Sequence, residues 1–452
     1  MLSLRPSLTI ALLGLSASTL ACGGDEGRQL GDGETTGVMT SLGNDDETSG
    51  ADQGETSTTT PTTDDDGGEG PKFDLAPIPD GALDCGAGGG GGGLESSFSY
   101  IWIANSTEGT VSKIDTASTI EEGRYLVTND LAQQPSRTSV NQYGDMAVGH
   151  RFSPRVTKVA ARPENCIDKN NNGVIDTSSG ANDVRPYLED ECVLWTIDLP
   201  AEANGTRAVA WEGGVIDPVT CTNTVPNPRL WVAYGGNPLK VYRLDGETGT
   251  VLDSVQIPST GFVYGGAVNA EGDFWVSDRA GRTLSRVDAD TLAVDTWAVP
   301  ASQAYGIGMD QNGHPWFATY EVGVGDQVYR FDPDTATFHS AGGTSGRYRG
   351  MNVDREGRVW VAGNSPCRLA LFDQATETVL DDAIPLPGCS DPVGVSVDGD
   401  GYVWVVDRGA SLAWKVDPNF KIIVGMVTGL VNPYTYSDMT GQGLNLVINP
   451  PG

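Results

Sequence analysis

A tryptophan returns at a nearly fixed interval through the second half of the chain, and no other feature constrains the fold as tightly. Trp231, Trp275, Trp316, Trp360 and Trp404 follow one another at spacings of 44, 41, 44 and 44 residues. From Trp275 on, the tryptophan sits in a short apolar run (FWV, PWF, VWV, VWV) that follows a Gly-containing turn. Another run follows each of these, LSRVDADT, VYRFDPDT, LALFDQAT and AWKVDPNF, and an alternating run precedes it, so units open near Gly261, Ala304, Tyr348 and Pro392. Short apolar runs bounded by Gly, Asp and Pro read as strands, and strands joined by tight turns form antiparallel meanders. Three or four strands repeated every 40 to 45 residues predict the blades of a β-propeller.

Reading outward extends the count. Leu230-Trp231-Val232 and Val241 to Asp245 give another blade, whose first strand is expected near Arg207 to Trp211, before an insertion holding Cys221. Ser136 to Asn141, Asp145 to Gly149 and Arg155 to Ala160 give one in which Ala147 replaces the tryptophan. Tyr100 to Asn105 and Val111 to Asp115 are second and third strands with no first strand before them. Pro433 to Asp438 echoes the opening of the other units and lacks a following Trp strand. Pairing these two ends closes the ring and removes two exposed sheet edges. The expected fold is all-β, a seven-bladed propeller over residues 98–452 closed by a C-terminal strand, with Leu444 to Ile448 as an extra strand.

The chain begins differently. Met1 to Arg5 carries one positive charge, Leu8 to Leu15 is an apolar run too short to span a bilayer, and small residues lead to Ala21-Cys22. This resembles a bacterial lipoprotein signal over residues 1–21, with Cys22 the lipidated first residue; Thr19 departs from the aliphatic residue usual there, and an ordinary secretory signal is the alternative. Residues 22–97 are rich in Gly, Ser, Thr and acid, and cannot bury enough apolar surface to offset their ordering entropy. A disordered acidic tether is expected there, with the Gly run at 86–93 as its hinge. The formal charge of the chain is −32. Such acidity excludes a nucleic-acid partner and electrostatic adhesion to anionic lipid, so membrane attachment is expected through the lipid alone. The implied location is the cell envelope, at the outer membrane, as a monomer.

The repeat P-x-G-[IV]-x-x-D-x-x-G-x-[LV]-W-[VF] followed by [IV]-x-[KR]-[VIFL]-D resembles the propellers of virginiamycin B (streptogramin) lyase and the NHL-type repeat families, firmly over 229–430 and weakly over 98–228. The resemblance implies a central cleft where histidine acid/base chemistry and Mg²⁺ open the antibiotic ring, with histidines at the x position of a Pro-His-Gly opening. Here those positions hold Ser136, Tyr264, Tyr305, Arg349, Val393 and Tyr434. The chain has three histidines, at 150, 314 and 339, placed at a strand end, a strand start and an outer strand. The lyase activity is therefore not expected to transfer, although a lyase-like or lactonase-like enzyme with a histidine-free site remains the alternative.

One insertion carries a chemical motif. Between the third and fourth strands of the second blade, within residues 162–192, the chain reads Asp168-Lys-Asn170-Asn-Asn172-Gly173-Val174-Ile-Asp176. Oxygen side chains at loop positions 1, 3, 5 and 9, with Gly at 6, match the start of an EF-hand-type loop and suit a hard Ca²⁺ ion. Asp168, Asn170, Asn172, the Val174 carbonyl and Asp176 are candidate ligands. Ser179 stands where a bidentate Glu is usual, so Asp183, Glu189, Asp190 or Glu191 would complete the shell, Glu191 being preferred. An Asn/Asp/Gly turn without an ion is the alternative. Cys166 and Cys192 bracket the insertion, and a bridge there would contribute roughly 3–4 kcal/mol on the chain-entropy model. Cys367 and Cys389 share a blade and form a second expected pair, and Cys85 and Cys221 remain as a third; other connectivities stay open.

First strands line a propeller's channel. One mouth should present Tyr264, Tyr305, Tyr348, Arg349 and Tyr434, with Arg137 nearby: stacking faces, hydroxyls and forks for an anionic or sugar-like ligand. The reading preferred over this one has Tyr packing the wall and Arg paired with first-strand acids such as Asp310, Asp354 and Asp398. The function expected is a binding or scaffold module for an unidentified envelope protein or small ligand, stabilised by calcium.

Overall fold

A computed structural model describes residues 99–200, 205–214, 228–301, 303–320, 327–343 and 346–451, all within one compact unit. The signal, the tether with Cys22 and Cys85, and Cys221 lie outside the described residues. Seven antiparallel sheets are present, six of four strands and one of three, each in simple meander order. Blade 7 is representative: Pro392–Val397, Val403–Asp407, Leu412–Asp417 and Ile422–Thr428 pair in sequence. Blades 2 to 6 open with Pro135–Val140, Thr206–Trp211, Val263–Val268, Ile307–Met309 and Arg347–Val353. These first strands pack on one another in series round the axis.

The repeat motif has a direct physical cause. In blade 7 Asp398 Oδ1 accepts the backbone N–H groups of Asp400 and Tyr402, which shapes the turn, while Oδ2 accepts the Trp404 indole N–H at 2.8 Å. Asp354 with Trp360 and Asp310 with Trp316 repeat the arrangement. Buried indole N–H groups need an acceptor, and the motif supplies it six residues upstream. The glycine of the P-x-G opening answers a different need. A Cβ at Gly350 would lie 2.6 Å from the Val393 carbonyl oxygen of the next blade, so glycine lets neighbouring first strands approach the axis.

Ring closure follows the expected route. Blade 1 holds Tyr100–Asn105, Thr110–Asp115 and Glu121–Leu126. The segment after blade 7 completes it: Asn105 bridges Pro433 antiparallel, the Tyr434 N–H donates to Ala104 O at 3.1 Å, and the Trp102 N–H to Met439 O at 2.9 Å. The register is one residue from that expected. The carbonyl against Gly394 belongs to Thr435, which puts Thr435 in the x position and Tyr436 where the other blades have glycine.

Residues 444–448 are not a strand. Gln442–Ile448 is a helix, α1, packed on the first strands of blades 4, 5 and 7 with Leu444, Leu446 and Val447 buried. The closing segment already satisfies the blade 1 edge, so this stretch meets its backbone needs internally. The buried Asp438 carboxylate accepts the N–H groups of Gly441 and Leu444 and starts the helix. Beneath α1 the channel narrows to a cavity of about 40 Å³ lined by Val209, Ile307, Met309, Met351 and Leu444 among others. Cys166–Cys192 and Cys367–Cys389 are disulfides, with Cα separations of 4.4 and 6.1 Å. Among the described residues no helix is long and apolar enough to cross a membrane.

Candidate functional site

The end of the channel opposite α1 is where the first strands begin, and two repeat positions converge there. One is the x position of the first-strand opening, giving Arg207, Tyr264, Tyr305 and Arg349, with Arg137 one residue further on, where other blades have glycine. The other lies four residues after the Trp position, just past the second strand, giving Arg151, Arg279, Tyr320 and Arg408. The closing segment adds Tyr434 and Tyr436.

Tyrosine rings form a continuous floor. Tyr305 lies 4.5 Å from Tyr264, 4.9 Å from Tyr320 and 5.5 Å from Tyr436, centroid to centroid, and its hydroxyl is 2.9 Å from that of Tyr434. Guanidinium groups sit on these faces. Arg137, fully buried, lies 3.2 Å over Tyr436, bonds its hydroxyl, and donates to the Tyr264 carbonyl at 2.9 Å. Arg151 is 4.6 Å over Tyr434, and Arg207 and Arg279 are 5.1 and 5.2 Å over Tyr264. Arg347 and Arg349 lie 4.8 and 4.9 Å over Tyr320 and donate to its hydroxyl. Arg408 completes the rim at 5.4 Å from Tyr434.

Among the described residues, Asp391 is the one carboxylate in ion-pair contact with these guanidinium groups, 3.0 Å from Arg349 and 2.6 Å from Arg408. The field shows in the phenols. Burial would raise Tyr434, but Arg137, Arg349 and Arg151 outweigh it and draw the phenol down to about 8. Burial and the Tyr434 charge push Tyr305 well above the ordinary value.

The sequence-derived candidates Arg137, Tyr264, Tyr305, Arg349 and Tyr434 therefore meet at this mouth. Tyr348 does not. Its hydroxyl donates to Asp382 at 2.7 Å and accepts from Arg368 at 2.9 Å inside blade 6, because Arg349 faces the channel and the preceding residue of a strand faces away. Nor do the mouth arginines pair with Asp310, Asp354 and Asp398, whose carboxylates hold the tryptophans. Sequence reasoning passed over Arg151, Arg279, Tyr320, Arg347, Arg408, Tyr436 and Asp391, although the four-residue offset from the Trp position marks four of them.

No histidine enters the mouth. His150 is fully buried, and both ring nitrogens lack a partner. His314 and His339 of blade 5 come together in one network through Arg330 of the same blade and Glu377 of blade 6: Arg330 meets His314 Nδ1 at 2.6 Å and Glu377 at 2.5 Å, and His339 Nδ1 is 3.1 Å from Glu377.

The insertion is a separate centre, braced by the Cys166–Cys192 bridge and by Ser178 Oγ, which accepts the Arg124 N–H of the blade 1 outer strand. Asp168 accepts the N–H groups of Asn172 and Gly173, Asn172 Oδ1 accepts that of Val174, and Asp176 Oδ2 receives the Asn170 and Asn172 amides at 2.9 Å. Those amides hold the Asp176 carboxyl below its usual range. Glu191 is buried and accepts the backbone N–H groups of Lys169, Asn170 and Asp176, so it ties the two ends of the loop.

Ring, channel and mouth define a seven-bladed β-propeller with a largely buried tyrosine-arginine cluster at one end. No protein-family model matches the chain, and no curated protein does. Its fold is similar to that of solved propellers. A streptogramin B lyase structure matches with a TM-score of 0.52 at 14% identity, over 68% of this chain and 87% of that one. A functionally unknown protein from Desulfotomaculum acetoxidans matches at 0.51 and 12%, over 74% and 96%. A protein from Lactobacillus plantarum matches at 0.51 and 12%, over 75% and 98%. At such identities the likeness establishes the fold, and function rests on the site.

Proposed function

We propose that this propeller is a ligand-binding module of the cell envelope, exported and lipid-anchored through Cys22, with its binding surface at the tyrosine-arginine mouth. The observation that carries the reading is the concentration of guanidinium groups over tyrosine faces with a single carboxylate among them. Most of the cluster is buried, and the half-buried Arg279, Arg347, Arg408 and Tyr320 offer forks and a ring face for recognition. The mouth has no histidine and no acid pair among the described residues to move protons for hydrolysis, which favours binding over a lyase- or lactonase-like enzyme. The two disulfides are in keeping with an oxidising compartment outside the cytoplasm. A ligand-observed NMR screen of chemically varied small molecules tests the site. Compounds whose signals depend on wild-type protein and vanish with Arg279→Met support it; a screen in which no binding responds to that change removes the mouth as the site.

The insertion is proposed to hold one structural Ca²⁺ through Asp168, Asn170, Asn172, Asp176 and the Val174 carbonyl. The donor set fits: oxygen-bearing side chains converge round a Gly-containing loop whose ends Glu191 and a disulfide already fix. The ion would neutralise facing carboxylates and stiffen the loop. Calcium should raise the unfolding temperature of the wild type, and the gain should disappear with a chelator or with Asp168→Ala. An unfolding temperature indifferent to calcium would overturn the assignment.

A further inference from the structure

We propose that the ligand of this mouth is a ring-bearing polyanion, an acidic sugar carrying carboxylate or phosphate groups. This rests on the reading of the mouth as the binding site and adds the chemistry of what enters it.

Charge pairing elsewhere in the molecule supplies the contrast. Outside the mouth, every described arginine that is not exposed has a carboxylate within ion-pair distance, such as Arg124 with Glu121, Arg243 with Glu212 and Arg368 with Asp382. In a chain of net charge −32 such partners are plentiful. At the mouth Asp391 serves Arg349 and Arg408, and among the described residues Arg137, Arg151, Arg207, Arg279 and Arg347 have no such partner. Arg151 donates no side-chain hydrogen bond among the described residues, and its Nε is buried without an acceptor. Among the described residues Arg207 donates to the Arg151 carbonyl alone, and Arg279 to Gln303 and the Tyr264 hydroxyl. Desolvated like charges held together repel one another, and burial with Arg207 nearby works against the Arg151 charge. An anion from outside relieves this cost and satisfies the orphaned donors.

The aromatic surroundings narrow the class. Phe152 and Phe262 are 50% and 40% exposed, unusual for phenylalanine, and both flank Arg207 at 5.4 and 6.0 Å. Arg151 stands over the same Phe152 ring at 4.5 Å. Exposed ring faces beside guanidinium forks fit a flat ring with an apolar face and an anionic substituent. Consecutive arginines share a ring, Arg151 and Arg207 at Phe152, Arg207 and Arg279 at Tyr264, so successive acidic groups of one ligand reach successive forks.

Calorimetric titration of the full chain with three probes tests this: tri-galacturonate for carboxylate, inositol hexakisphosphate for phosphate, and maltotriose as the neutral control. One or both acidic probes should bind, with affinity falling between about 50 and about 300 mM NaCl as exposed charges are screened. Arg151→Met and Arg207→Met, which keep most of the side-chain stem, should each weaken binding about 10-fold or more, equivalent to about 1.4 kcal/mol. Arg207→Lys should recover part of the affinity, and unchanged thermal melting would show that the variants fold. Binding by one acidic probe alone assigns carboxylate or phosphate. The proposal is overturned if neither acidic probe binds, if the Met variants bind as tightly as wild type, or if polyglutamate binds while both sugars fail. Maltotriose binding equally well, and lost on Phe262→Ala, would overturn the anion requirement while leaving the mouth as the ligand site.

Discussion

Lowering the pH from about 7.5 to about 5 is expected to destabilise the propeller by about 2 kcal/mol through His150 alone. Its ring ends the second strand of blade 2, is wholly buried, and has no hydrogen-bond partner at either nitrogen. Burial, and then Arg155, lower its pKa to about 3, with Asp198 opposing in part. The unfolded value is near 6.5, so below that pH the unfolded chain takes up a proton that the folded chain refuses. Stability is therefore complete above about pH 6.5 and declines as the pH falls towards the folded value; at pH 5 the difference of roughly 1.5 pH units gives the figure above, at 1.36 kcal/mol per unit. Chemical denaturation of wild type and His150→Leu at both pH values measures it, each protein being compared with itself so that the cavity left by the substitution cancels. The wild type should lose about 2 kcal/mol more than the variant over this interval. Parallel losses would refute the assignment of a buried neutral imidazole.

Two other perturbations follow from the same geometry. Asp354→Ala leaves the buried Trp360 indole N–H without its acceptor, while Arg358 keeps Glu356 and Asn419, and should cost about 1–3 kcal/mol in denaturant, whereas a cost of a few tenths would show that the brace is decorative. Ultraviolet titration should reveal one phenol ionising near pH 8, absent in Tyr434→Phe, and because that value lies below the unfolded one near 10, stability should rise with pH between the two; a first phenol ionisation at 10 or above would contradict the guanidinium field.

What could be read beforehand and what could not divides along physical lines. Blade number was legible because the Trp run and its Gly turn recur at a nearly fixed interval, and in blades 5 to 7 the Trp finds its acceptor six residues upstream, which makes the motif local. Blade 2 survives Ala147 because Asn141 still caps the turn, accepting the Tyr143 and Asp145 N–H groups. The mouth was half legible. Its first-strand residues follow from alignment of the openings, but Tyr348 shows how a single-residue step selects the wrong face. Arg279, Tyr320 and Arg408 carry the same period but stand just past the end of an apolar run, where the hydrophobic pattern carries no signal. Tyr436 and α1 were not legible at all, since their places are set by a ring that must already be closed.

Closure and the mouth share one segment, and this has a measurable consequence. The residues that hydrogen-bond to blade 1, through the Tyr434 N–H and the Met439 carbonyl, bracket the side chains of Tyr434 and Tyr436 that form the floor of the mouth. Arg124 extends the seam outward, bonding the Gly429 carbonyl with its side chain and the insertion's Ser178 with its N–H. A ligand held at the proposed mouth would bind the closed ring and lose its contacts when the seam opens. Mass action then stabilises the closed state by about 2.7 kcal/mol at 100 times the dissociation constant, slowing exchange through seam opening about 100-fold. Hydrogen exchange at the Trp102 and Tyr434 amides with a saturating acidic probe should show this retardation, while amides of the blade 4 outer strand, Val294–Ala298, should not respond. Unchanged exchange at both seam amides would mean that a bound ligand leaves the closing segment untouched, and that closure and recognition are independent properties of residues 433–439.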